Sequence, residues 1–395
     1  MRSTIVLTRP LGEDGINNNN YASTSSGLIF SARSSRAASL YVGCPPPRLN
    51  ITNPRVAPLI IVAGVQKGGS SSMRDILPRQ GLCKPLTGEL QFFNHECFAR
   101  RPVEAEERET YFAEWRHCRG VHTLNEMGLV RGSGFDKSPA TYIQPWIPLR
   151  VCQALPPRQK ILLLLREPVA RAFSGYHQCR LTRMAAPLQL RADHMAARND
   201  TPHDFSVAAA LEVDVARRCS PWGTGDPERD IALGEAFSTC CTRVAQEHGL
   251  RAPSNWPLCS TTPHCATGKH VGPHRRMAIS KGGTFGQWCY THVLAGVYVR
   301  YLRLWYRHHH PRDVLLGRSE DFFANQSGVV DELMSALLGP NRSVSKPVIE
   351  VRSAEATKGA EMHSETRRML QRFYAPFNAE LDELLGLKMG WTYDL

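Results

Sequence analysis

The chain has 395 residues, enough for one large α/β domain or two to three smaller ones. With 42% apolar and 21% charged residues it has the usage of a folded globular protein, which excludes wholesale disorder. No apolar run nears the roughly 18 residues that cross a bilayer, and a net charge of +12 points to an acidic partner or to a basic surface kept for solubility.

Residues 1–57 hold an Asn run (Asn17 to Asn20), Ser/Ala/Arg-rich stretches and the Pro45-Pro46-Pro47 tract. Low periodicity and high polarity predict a disordered leader or stem there. Order begins at Pro58. The run Leu59 to Val65 is apolar, β-branched and interrupted by Gly64, which reads as a buried parallel strand. A Gly/Ser loop follows, then a helix over about 72–79. Glu104 to Cys118 is expected as a surface helix. Ile161 to Leu165 is a second buried strand, and Pro168 opens a helix running to about Leu181.

Residues 177–285 are rich in Cys, Pro, His and Arg, and are expected as an insertion of short helices and loops held by disulfides. The periodicity predicts a helix from Trp288 to about His308, with Val293, Val297, Tyr301 and Leu304 on one face. Val314 to Leu316 reads as a third strand, followed by helices at about 327–338 and 364–385. Strands alternating with helices predict a P-loop-like three-layer α/β fold: a central, mainly parallel sheet flanked by helices. One domain over 58–395 would then bind its ligands at the carboxyl ends of the strands.

The 12 cysteines include no paired C-x-x-C array, so a structural zinc site is not expected. Four Asn-x-Ser/Thr sequons (Asn50, Asn199, Asn325 and Asn341) are candidate glycosylation sites. With the even cysteine count they tilt the expected compartment towards a secretory lumen. His308 to His310 read as a solvated helix end, and His264, His270 and His274 as basic contacts for an acidic glycan; no metal is expected.

Two loops carry chemistry. In Gly64-Val65-Gln66-Lys67-Gly68-Gly69-Ser70-Ser71-Ser72, glycines let backbone N–H groups surround an anion, Lys67 adds a full charge, and Ser70, Ser71 and Ser72 add donors. A Walker A loop places its lysine after the last glycine, whereas Lys67 precedes the pair. In the second loop Arg166 ends a strand and Ser174 sits eight residues on, inside the helix. Guanidinium and hydroxyl can converge there on one phosphate.

Together the two loops resemble those of sulfotransferases that use 3′-phosphoadenosine 5′-phosphosulfate. Lys67-Gly68-Gly69-Ser70-Ser71 is similar to their 5′-phosphosulfate loop, and Arg166-Glu167-Pro168 through Ser174-Gly175-Tyr176 to their 3′-phosphate element. The pattern resembles the Golgi carbohydrate group, which includes the heparan sulfate N- and 3-O-sulfotransferases and the N-acetylgalactosamine 4-sulfate 6-O-sulfotransferase. Glu89-Leu90-Gln91-Phe92-Phe93, Asp136-Lys137-Ser138-Pro139, Lys358-Gly359 and Phe373-Tyr374-Ala375-Pro376-Phe377-Asn378 match further segments in order.

The resemblance implies a sulfuryl transfer by in-line displacement from the phosphosulfate donor to a hydroxyl or amine of a carbohydrate, with no metal. It makes Glu89 the general base and Lys67 the group that stabilises the leaving oxygen. Gly68, Gly69, Ser70, Ser71, Ser72, Arg166, Ser174, Lys358 and Gly359 would hold the donor, and Lys137 and Gln91 would line the acceptor cleft. It implies a Golgi lumen, a glycosaminoglycan-like or other glycan acceptor, no nucleic acid and no membrane span in this chain. Two alternatives stay open: a P-loop nucleotide kinase or nucleotide-binding protein, and a non-catalytic polyanion-binding protein.

Overall fold

The structure, a computed structural model, describes residues 29–32, 34–44, 58–94, 102–118, 134–139, 141–155, 159–181, 201–219, 239–241, 243–244, 246–247, 292–339 and 361–393. Its frame is a five-stranded sheet in the order β1-β5-β4-β2-β3, made of β1 (Ile29–Phe30), β2 (Pro58–Gly64), β3 (Gly134–Lys137), β4 (Lys160–Leu165) and β5 (Val314–Arg318). The three pairings among β2 to β5 are parallel; β1 alone runs antiparallel, Ile29 opposite Gly317 and Phe30 opposite Leu316.

The three layers follow from period-two side-chain alternation on strands whose two faces are both covered. Ile60, Val62, Leu162, Leu164 and Leu315 point to one side. They pack there on Met73 and Ile76 of α2 (Ser70–Ile76) and on Val329, Val330 and Leu333 of a later helix. Ile61, Ala63, Ile161, Leu163, Leu165, Val314 and Leu316 point to the other. That side is filled from α4 (Ile147–Ala154), α5 (Pro168–Leu181), α6 (Thr201–Cys219), α7 (Tyr298–His308) and α10 (Ser364–Leu385). Further helices among the described residues are α1 (Ser35–Ser39), α3 (Ala105–Ala113), α8 (Ser319–Ala324) and α9 (Gln326–Leu338).

Several expectations are corrected. The stretch taken for a disordered leader contributes β1, α1 and Cys44, which is bonded to Cys152 of α4. Within the rest of it, residues 1–28 and 45–57 lie outside the described residues. Of the helix expected from Trp288 to about His308, residues 288–291 lie outside the described residues; among the described ones a 3₁₀ turn, Leu294–Gly296, comes first and the helix runs from Tyr298, with Gly296 packed against the Tyr374 ring. The surface helix at 104–118 ends at Ala113, and its far side is core: Tyr111, Phe112 and Trp115 are all buried. In the insertion α6 is a long helix rather than a short one, and its Glu212 accepts from the N–H groups of His292, Val293 and Leu294. Its last residue, Cys219, is bonded to Cys240.

Candidate active site

Because β2 to β5 are parallel, their carboxyl ends place four chain segments at one edge of the sheet. β2 slips register against β4 between Val62 and Gly64 and then turns. The turn lies flat on β4: Val65 N–H donates to the Leu164 carbonyl at 3.2 Å, and Gly68 N–H to the Val65 carbonyl at 3.0 Å. Sterics demand both glycines. A Cβ on Gly68 would sit 2.1 Å from the Leu164 carbonyl oxygen, and Gly69, at φ +110°, would push one to 2.9 Å from the Phe322 ring. Ser319, at the end of β5, donates its hydroxyl to the Gly68 carbonyl at 2.7 Å, pinning the loop from the other side. Lys67 itself adopts a left-handed φ of +69°, a conformation a non-glycine residue holds only where its surroundings enforce it. Of the three serines that follow, Ser70 and Ser72 are buried and Ser71 is exposed.

Arg166, at the end of β4, donates to the Lys67 carbonyl at 3.1 Å. The Lys67 ammonium, half-buried, donates to the neutral Gln178 amide oxygen at 3.1 Å, and forms no ion pair among the described residues. Burial, reinforced by the Arg166 charge, pushes the Lys67 ammonium below its ordinary value, and burial does the same to Arg166. Two partly buried cations close enough to repel each other make a site that favours an anion. Ser174 is buried on α5, and Gln178 follows it by four residues, on the same helix face. Glu167 caps that helix, accepting from the N–H groups of Val169 and Ala170, while Tyr298 OH donates to the Arg166 carbonyl at 2.6 Å.

The end of β3 supplies the second half of the site. Lys137, 4% exposed, pairs with Glu89 at 2.5 Å. The other Glu89 oxygen accepts from the Gln91 side-chain amide, so Lys137 and Gln91, both expected in the acceptor cleft, here hold the carboxylate of Glu89. Arg74 on α2 feels the Glu89 charge, which sets this carboxylate near the helix that starts at the glycine loop. The neighbouring Asp136 is buried; burial pushes its carboxyl up to about 6, opposed by hydrogen bonds from Ser138 and Tyr111.

Lys358 and Gly359 lie outside the described residues, as do the sequon asparagines Asn50, Asn199 and Asn341. Asn325 is exposed and its side-chain oxygen caps α9 through Gly328 N–H at 2.9 Å. Cys83, His117 and Cys118 cluster with cation-ligand spacing, but the two sulfurs are joined as a disulfide. None of Gln178, Ser319 and Asp136 was given a role from the sequence, although Asp136 and Ser319 lie in segments that match the family. Gln178 could have been, from its four-residue spacing after Ser174; Ser319 could not, since only the sheet order brings it to Gly68.

The chain matches no family model and no curated protein. Among solved structures, the crystal structure of a sulfotransferase from Alicyclobacillus acidocaldarius is similar in fold, with a TM-score of 0.50 at 18% identity over 85% of this chain and 99% of that one.

Proposed function

We propose that the protein transfers a sulfuryl group from 3′-phosphoadenosine 5′-phosphosulfate to a hydroxyl or amine of a glycan. The observation that carries this reading is the pair Lys67 and Arg166, the charge of Arg166 acting against the half-buried Lys67 ammonium, which forms no ion pair among the described residues, beside a loop with no room for a Cβ at Gly68. The similarity in fold to a bacterial sulfotransferase supports it.

The residues present fit such a donor. The loop N–H groups and the Lys67 ammonium would hold its phosphosulfate, and Arg166 and Ser174 its 3′-phosphate. When bound, the donor supplies an activated sulfuryl group with a bisphosphate as leaving group. Lys67 stabilises charge on the leaving oxygen, a preorganised electrostatic role. Glu89 takes the proton of the acceptor hydroxyl or amine, and Lys137 and Gln91 keep its carboxylate in one orientation. Positioning supplies the rest of the rate, as in phosphoryl transfer. Of the described helices none is long and apolar enough to cross a membrane. The disulfides, the sequons and the +12 charge favour a lumenal enzyme acting on an acidic glycan.

Incubation with radiolabelled sulfate donor and a panel of glycosaminoglycans, neutral glycans and small alcohols tests the reading. Label on a glycan with release of adenosine 3′,5′-bisphosphate is expected. Transfer of phosphate from ATP instead, or glycan binding without any transfer, overturns it.

A further inference from the structure

Behind Glu89 lies a chain of hydrogen bonds that the reaction scheme does not use. Asp136 is 1% exposed, in the middle of the short strand β3. One of its oxygens accepts from the Ser138 hydroxyl at 2.8 Å, and the other from the Tyr111 phenol at 2.9 Å. A serine hydroxyl has one hydrogen. With that hydrogen committed to Asp136, the lone pairs of Ser138 Oγ turn outward, and one accepts from Gln91 N–H at 3.0 Å. This bond holds Gln91 at φ +51°, one of two left-handed non-glycine residues in the described structure.

The unusual backbone has a visible effect. It aims the Gln91 side chain so that its amide nitrogen donates to Glu89 while its oxygen accepts from the Asn94 amide. The Asn94 oxygen accepts in turn from the Thr141 hydroxyl at 3.1 Å. Along the side chains of Thr141, Asn94 and Gln91 every donor points the same way, towards Glu89. Because an ionised carboxylate can only accept, the order of the two amides is dictated from the Glu89 end. The backbone that makes it possible is dictated from the Asp136 end.

We propose that Asp136 is a positioning residue that acts through Ser138 on the backbone of Gln91, and so sets the orientation of the Glu89 carboxylate towards the acceptor. A buried carboxylate is costly to keep unless its geometry is needed. Here both of its oxygens are used on groups that converge on one loop, residues 89–94. The inference rests on reading Glu89 as the general base. Its structural half, the bond from Gln91 N–H to Ser138, does not.

The test uses Ser138→Ala and Asp136→Ala, with Ser138→Thr and Asp136→Asn as conservative rescues, since Thr restores the hydroxyl and Asn keeps an acceptor oxygen. The readouts are kcat, calorimetric affinity for adenosine 3′,5′-bisphosphate, and hydrogen-exchange protection of Gln91 N–H. We expect the alanine variants to lose about 10²-fold in kcat, the cost of a misplaced reacting group, and to lose protection at Gln91. The rescues should regain most of both, and bisphosphate affinity should stay unchanged throughout. Wild-type kcat in Ser138→Ala, or bisphosphate affinity falling in step with kcat, overturns the proposal, as does a Gln91 amide that stays protected in both alanine variants. If the wild-type enzyme transfers no sulfuryl group at all, the proposed function fails, and the exchange of Gln91 N–H still tests the relay.

Discussion

The guanidinium of Arg166 donates to the main-chain carbonyl of Lys67 at 3.1 Å, so the residue that ends β4 shapes the loop that ends β2. The two cations of the candidate donor site are therefore mechanically linked, and they can be separated by substitution. Lys67→Ala removes a charge and leaves the loop bond intact. Arg166→Ala removes a charge and the loop bond together. Losing one charged hydrogen bond costs about 1.5–3 kcal/mol. Bisphosphate affinity should thus fall roughly 10- to 150-fold in Lys67→Ala and further in Arg166→Ala, as read by calorimetry. Equal affinity in wild type and Lys67→Ala would remove Lys67 from the donor site.

Glu89→Gln keeps the size of the side chain but cannot take a proton. General base catalysis is worth about 10²–10⁴-fold, so kcat should fall by that order. Bisphosphate affinity should hold, because Glu89 is paired with Lys137 and Gln91 and not with the Lys67 loop. Single-turnover rates with saturating donor measure this directly.

Gly68→Ala places a methyl 2.1 Å from the Leu164 carbonyl oxygen, a backbone atom that cannot step aside. The loop must lift from β4, at a cost of about 1–3 kcal/mol typical of overpacking. The denaturation midpoint should drop, and bisphosphate binding should drop with it. A variant of wild-type stability would show the loop to be looser than its contacts.

Burial pushes the Asp136 carboxyl up to about 6 from an ordinary 3.8. The folded state therefore holds this proton more tightly than the unfolded chain. The stabilisation is complete below pH 3.8 and is lost as pH rises through about 6. Over that window it amounts to about 3 kcal/mol at most. Asp136→Asn, which does not titrate, should flatten this part of the stability curve. Urea midpoints of the two proteins at a series of pH values should converge at the acid end and separate towards neutrality in a slope that the variant lacks.

The Cys83–Cys118 disulfide closes a segment of sequence separation 35 that contains Glu89, and Glu114 adds bonds to the backbone of Leu86 and Thr87 within it. Replacing both cysteines with serine should cost about 4 kcal/mol by loop entropy. Exchange protection should be lost first at Leu86 and Thr87, the residues clamped to α3's last turn.

The strands β2, β4 and β5 were legible because each is apolar on both faces, which only a covered parallel sheet requires. β3 was legible only as a motif: its Asp136 and Lys137 are buried, and nothing in the sequence says that Tyr111, Ser138 and Glu89 will satisfy them. Helix α6 hid behind mixed chemistry, since its buried side carries Glu212 among Val213, Val215 and Ala216. The period that runs through Val293 and Val297 is helical in spacing, yet Leu294–Gly296 forms a 3₁₀ turn there. Lys67 and Arg166 were singled out from residue type and order, and Glu89 through the resemblance alone. Gln91 was found in type but not in role, because a left-handed backbone is set by the neighbouring strand and not by the residue itself.

The pairing of β1 with β5 has a consequence for how the chain is made. Ile29 and Phe30 bond to Leu316 and Gly317, Ile29 N–H also reaches Glu332 of α9 at 2.8 Å, and Arg36 pairs with Glu383 of α10. During translation β1, the first strand among the described residues, leaves the ribosome before the β5 strand it pairs with and waits until β2 to β5 have followed it. The nucleus is then expected among β2, β3 and β4, whose pairings need shorter loops, and of the five strands the one synthesised first is the last to dock.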